Sequence, residues 1–129
     1  MKYDYELINE KLHPVIKATL VSSSKKEELT MIVDTGFDGH LLIPSRLYKK
    51  LGFQKYEHPV SEFPILETVA GMVMKIRSAP ANIYIGDLKI DIDVWTMPDC
   101  DEILLGNEAL DELLLKLDGP EKTLEILNR

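Results

Sequence analysis

The stretch ANIYIGDLKIDIDVW, residues 81–95, alternates apolar and polar side chains on either side of Gly86-Asp87. A period of two is the mark of a strand with one face buried, and the Gly-Asp step between two such runs reads as a hairpin turn. The same punctuation recurs along most of the chain. YELINEKLHPVIKATLV (5–21) alternates well enough for two strands, with Pro14 near their junction. SSSKKEE (22–28) is polar and reads as an exposed hairpin loop, and LTMIV (29–33) as a buried strand. HLLIP (40–44) resumes as a strand. EFPILETVAGMVMKIRS (62–78) holds two apolar runs around Ala70-Gly71, which predicts a hairpin with its tip at 69–72. KTLEIL (122–127) reads as a final strand. Helical spacing is confined to two places. Ser45 is placed to cap RLYKKL, which Gly52 ends. NEALDELLLKL (107–117) has apolar residues at 109, 110, 113, 114 and 117, the stripe of an amphipathic helix with Asn107 as its cap. The expectation is an all-β fold with a short helix near residue 46 and one C-terminal α-helix, built as a single domain over 1–129.

Composition narrows the function. The 129 residues are 45% apolar and 29% charged, an ordinary soluble balance. No apolar run reaches the roughly 18 residues that a membrane-spanning helix requires. The N-terminal MKYDYELINEKLHP lacks the apolar core of a secretory signal. One cysteine, Cys100, makes no internal disulfide, which fits a reducing compartment and a cytoplasmic location. A net charge of −7 argues against nucleic acid as a partner. No Gly-rich phosphate cradle is present and no cofactor is expected. The acidic loop Asp99, Cys100, Asp101, Glu102 has no second ligand cluster at a recognisable spacing, so no metal is expected either.

Asp34 stands out against this background. Three apolar residues, Met31, Ile32 and Val33, lead into it, and Thr35-Gly36 follow at once. A carboxylate at the end of a buried strand is costly unless something pairs with it. An Asp-Thr-Gly turn in which the aspartate bonds its own backbone is the plain explanation, and the triplet alone is weak. Its setting adds weight, because TVAGM (68–72) lies some 35 residues on and ILLG (103–106) leads into the C-terminal helix.

In that order and spacing, IVDTG, TVAGM and ILLG make the chain resemble the retropepsin-like aspartic proteases over about residues 15 to 127, nearer in its FDG continuation to cellular and prokaryotic members than to viral ones. The resemblance implies an acid-protease barrel and an aspartic endopeptidase. Asp34, Thr35 and Gly36 would form the catalytic loop. Phe37, Asp38 and the flap residues Val69, Ala70, Gly71 and Met72 would bind substrate, while Leu104, Leu105 and Gly106 would pack beneath. Peptide hydrolysis by carboxylates needs two side by side, one to activate water and one to protonate the carbonyl. Two unit charges about 4 Å apart repel by about 4 kcal/mol at an effective dielectric of about 20, which is why paired aspartates in such enzymes share one proton. Only one Asp-Thr-Gly occurs here, so the resemblance implies a homodimer with Asp34 facing its copy. KTLEIL and the N-terminal KYDYEL are the candidates for pairing between subunits.

Departures are plain. Phe37 stands where viral enzymes carry Ala or Ser, and it either narrows the cleft or turns into the core. Asn107 stands where they carry an arginine that helps hold the dimer. The flap tip has one glycine, Gly71. A binding or assembly module with the same fold and no chemistry is the alternative reading, and a metal-dependent hydrolase on Asp99–Glu102 is a third.

Overall fold

The computed structural model describes residues 1–128 apart from Ser24 and Thr68. Ser24, from the predicted polar loop, and Thr68, which opens the TVAGM motif, lie outside the described residues. Strands β1 (Lys2–Asp4), β2 (Glu6–Ile8), β3 (Lys11–His13), β4 (Val15–Ser22), β5 (Lys25–Val33) and β6 (Leu41–Pro44) precede the first helix, α1 (Ser45–Lys50). Then follow β7 (Ile65–Glu67), β8 (Val73–Lys75), β9 (Arg77–Ile85), β10 (Leu88–Met97), β11 (Leu104–Leu105), α2 (Asn107–Leu110), β12 (Leu115–Asp118) and β13 (Thr123–Ile126). Among the described residues no helix is long and apolar enough to cross a membrane.

Six strands close into a barrel in the order β10-β6-β11-β5-β4-β9. Closure removes the free edges that an open sheet would leave. The alternation seen in the sequence sets the faces: Ile90, Ile92, Val94 and Thr96 of β10 point into the barrel, while Lys89 and Asp91 face out. Ile16, Leu20, Met31, Leu41, Ile43, Ile83 and Leu105 fill the interior with essentially no exposure. Tyr48 and Phe53, from α1 and the turn after it, complete the core. Outside the barrel, β1-β13-β12 form a small sheet, and β2-β3 and β7-β8 are separate hairpins.

Several expectations need correction. Residues 5–21 make three strands, because Asn9 and Glu10 take positive φ and fold β2 onto β3. The polar 22–28 segment is mostly strand: Ser22 pairs with Lys25, and Lys25, Lys26 and Glu28 are exposed, so polarity fits an extended chain whose end is solvated on both faces. Pro44, not Ser45, occupies the N-cap of α1, with no side-chain capping bond. The predicted helix 107–117 stops after Leu110. Leu115 and Leu117 instead pair with Ile126 and Leu124 in β12-β13, so strand pairing overrides local helical spacing. β13 also pairs with β1, so both its edges are filled by its own chain. It therefore cannot offer an edge to another subunit as KTLEIL was expected to do.

A charged cluster ties the segment before β7 to the barrel. The Glu57 carboxylate accepts from Tyr48 Oη at 2.8 Å and from Arg77 Nε at 2.7 Å and Nη2 at 3.1 Å. The Arg77 guanidinium lies 5.8 Å from the centre of the Tyr48 ring. Next along, His58 Nε2 meets Asp93 Oδ1 at 2.7 Å and His58 N–H donates to the Ser78 carbonyl. Burial alone would push the Glu57 carboxyl up, but the hydrogen bonds from Arg77 and Tyr48 and the Arg77 charge bring it below its ordinary value of 4.5. The Tyr48 hydroxyl is pushed up by burial and by the adjacent carboxylate. A carboxyl held low in the fold stabilises it above the unfolded-state value, and that contribution is withdrawn as pH falls through the folded-state value. Thermal melts should therefore show Glu57→Gln less stable than the parent by about 1 kcal/mol at neutral pH. The gap should close as pH drops from about 4.5 downward.

Candidate active site

The loop that carries Asp34 is held by a short strand between its two ends. β5 delivers Asp34 and β6 takes the chain away, yet the two do not pair. β11 lies between them, parallel to β5 and antiparallel to β6. Leu104 pairs with both Ile32 and Leu42, and Leu105 with both Val33 and Leu41. Backbone bonds continue past the strand. Asp34 N–H donates to the Leu105 carbonyl at 3.0 Å, Gly106 N–H to His40 at 2.9 Å and Asn107 N–H to Phe37 at 2.8 Å. Buried backbone groups of the loop are thus satisfied by the 105–107 segment beneath them.

Within the loop, Phe37 N–H donates to the Asp34 carbonyl at 3.2 Å, closing a tight turn. Gly36 N–H donates to Asp34 Oδ1 at 2.8 Å. A side chain at Gly36 would sit 3.2 Å from that same oxygen, so glycine lets the backbone come close to the carboxylate. Asp34 is half-buried, with Thr35, Gly36 and Asp38 exposed beside it. The local turn and the buried strand's need for a polar terminus are met together.

Phe37 does both things the sequence left open. Its ring packs edge-on against Trp95 at 5.3 Å and covers Gly39 and Gly106, yet it stays half-exposed. Together with Gly36, Asp38, Leu42, Pro64, Ile65, Leu66, Ile76, Trp95 and Met97 it lines a cleft of about 230 Å³. The β7-β8 hairpin rises over this cleft through Pro64 and the first β7 residues. Its tip, Val69, Ala70, Gly71 and Met72, stands exposed and does not line the cleft. Gly71 takes φ +83°, the left-handed region a tight tip uses.

Leu105 and Gly106 are buried and Leu104 is half-buried beneath the loop. Cys100 lies apart: its Sγ donates to the Glu102 carbonyl at 3.1 Å, and burial pushes the thiol up, away from the thiolate a nucleophile needs. Among the described residues no group of three or more His, Cys, Asp or Glu side chains is gathered as a metal site.

Solved structures of similar fold are informative. The chain is similar to a retropepsin-like aspartic protease from Rickettsia conorii, with TM-score 0.60 and 19% identity, covering 96% of this chain and 88% of that one. It is similar to the EIAV protease complexed with the inhibitor HBY-793, with TM-score 0.57 and 20% identity over 81% and 91% of the two chains. The retroviral protease-like domain of Ddi1 from Leishmania major gives TM-score 0.56 and 14% identity over 90% of each chain. The fold is retropepsin-like. These values do not separate viral from cellular neighbours. No protein-family model matches the sequence. An uncharacterized protein of Archaeoglobus fulgidus is 28% identical over 121 residues, covering 88% of this chain and 92% of that protein.

Sequence reasoning missed Leu42, Pro64, Ile65, Leu66, Ile76, Trp95 and Met97 as walls of the cleft. The signal for Trp95 was present, since it is the one aromatic of β10 and its alternation puts it on the face away from the interior. The retropepsin-like loop makes a sharp demand at Gly106, where an added Cβ would lie 2.3 Å from the Gly39 carbonyl oxygen and 2.5 Å from that of Phe37. Gly106→Ala should destabilise the protein by about 2–4 kcal/mol in urea denaturation. Gly119→Ala, which meets nothing within 4 Å, should change stability by less than about 0.5 kcal/mol.

Proposed function

We propose that the protein is an aspartic endopeptidase that works as a homodimer, with Asp34 of each copy forming the catalytic pair. The observation that carries this reading is the Asp34 carboxylate itself, oriented by Gly36 N–H at the end of a buried strand and beside an apolar cleft roofed by a hairpin. One Asp34 acts as general base on the attacking water, and its copy donates a proton to the substrate carbonyl oxygen. The tetrahedral intermediate then collapses with a proton passed to the leaving amine. Thr35 and Gly36 keep the two loops in register, Phe37 and Asp38 contact the peptide in the cleft, and the exposed tip 69–72 reaches it only when the hairpin folds down over the bound chain. The likeness to aspartic proteases supports the fold on which this chemistry rests. The Phe37-Asp38-Gly39 continuation supports reading the chain as nearer to cellular and prokaryotic members than to viral ones. The lone half-buried Cys100 fits a cytoplasmic location.

A second reading, a peptide-binding module without chemistry, draws on a specific observation. β13 has both edges filled within the chain, so the sheet pairing first expected to join two copies is closed to it. Sedimentation and a peptide-library assay at acidic pH distinguish the two. The endopeptidase reading expects a dimer whose cleavage is blocked by a statine-type inhibitor. Asp34→Asn should abolish turnover, a loss of at least about 1000-fold, with an unchanged melting temperature. Cleavage that survives Asp34→Asn, or a chain that is active as a monomer, would sink it.

A further inference from the structure

We infer that Asn107 is a positioning residue for the Asp34 carboxylate, acting through the single peptide unit that joins Thr35 to Gly36. The inference deepens the endopeptidase reading and rests on it for its kinetic consequence, but its structural content stands separately. Asn107 Nδ2 donates to the Thr35 carbonyl oxygen at 2.7 Å. The N–H at the other end of that peptide is Gly36 N–H, which donates to Asp34 Oδ1 at 2.8 Å. A peptide unit is planar, so fixing its carbonyl also fixes the direction of its N–H. It is polarised as well: accepting a bond at oxygen strengthens the bond donated at nitrogen.

The asparagine is well placed for this. Its own N–H donates to the Phe37 carbonyl at 2.8 Å, so main chain and side chain grip the loop at two points, on either side of Gly36. Asn107 follows directly on Gly106, whose missing Cβ allows the loop backbone to lie close above. Thr35 and Gly36 are exposed, so without the side-chain bond the Thr35 carbonyl faces water and the peptide is free to tilt. A short amide that reaches one carbonyl gives this chain a brace within the subunit at the position where the viral pattern has arginine. The acceptor is a neutral carbonyl, which suits an amide donor and offers no partner to a carboxylate.

The distinction between a brace for the carboxylate and a helix-start residue is open to test. In isotopically labelled protein, a through-bond coupling between the Asn107 side-chain nitrogen and the Thr35 carbonyl carbon is expected. The Gly36 amide proton should move upfield in Asn107→Ala, while the Asn107→Ala fold and melting temperature stay near the parent's. In peptidase assays kcat should fall about 10–100-fold with KM changed less than about threefold. Asn107→Asp, of the same shape without the donor, should behave like Asn107→Ala, and Asn107→Gln should recover part of kcat. Asp111→Asn, exposed at the far end of α2, should leave kcat unchanged. An unmoved Gly36 amide in Asn107→Ala overturns the inference whatever the activity. Full kcat in Asn107→Asp overturns it too. A parent protein with no peptidase activity would sink the endopeptidase reading alone, with the Gly36 resonance still deciding the role of Asn107.

Discussion

The insertion of β11 between β5 and β6 is the contact on which the arrangement around Asp34 depends. Two residues, Leu104 and Leu105, complete ladders on both sides at once, so the strand entering the loop and the strand leaving it are held apart by one strand width. Neighbouring strands lie about 4.8 Å apart, so the loop must span roughly 10 Å across the top of β11. Residues 34–40 could reach about 23 Å if extended, so the excess length must fold back on itself. The loop is forced to fold tightly over Gly106, and its carbonyls at Phe37, Gly39 and His40 turn down to meet N–H groups at 106–108. The Asp34 side chain is directed by a backbone that these hydrogen bonds hold in place.

The walls of the cleft follow from the same barrel by a different route. β10 alternates strictly, and the residues facing away from the interior include Asp93 and Trp95. Asp93 meets His58, while Trp95 takes the edge of Phe37, so one strand face braces both the segment leading to the β7-β8 hairpin and the loop floor. The hairpin pairs Ile65, Leu66 and Glu67 with Lys75, Met74 and Val73, and it exposes apolar side chains, Ile65, Val69, Met72 and Val73 among them. In the proposed reading, the braced loop and the exposed hairpin are the two parts that a peptide groove requires: one must hold still, and the other must admit a chain.

Much of this was legible in the sequence because it is written in short-range patterns. Alternation marked the β9-β10 hairpin, and the apolar run ending in Asp34-Thr35-Gly36 marked a strand opening into a turn. The resemblance carried by ILLG implied the support beneath it. What was not legible is decided by partners distant in sequence. Leu113, Leu114 and Leu117 fit a helical stripe as well as a strand, and only the neighbouring β13 at 123–126 draws 115–118 into extended form. The polar face at 25–28 resembled a loop until its partner strand β4 gave it a ladder. Asn107 read as a helix cap, and its bond to the Thr35 carbonyl, 72 residues away, has no local signature.

The sheet β1-β13-β12 constrains how two copies would meet in the proposed dimer. β13 is the central strand, so its N–H and C=O groups are committed on both sides, and the unpaired edges belong to β1 and β12. In the proposed dimer any continuous sheet between subunits therefore runs through one of those outer strands. Both outer strands carry a lysine and an aspartate, but β12 adds the exposed Leu117, with Leu114 and Leu127 exposed beside it. Charged residues on an edge discourage pairing, and apolar ones invite burial. The balance favours contact through the β12 side. Because β12 follows α2 by only four residues, a partner docked there would bear on the same segment that braces the Asp34 loop through Asn107. Association and the setting of the carboxylate would then be mechanically one event.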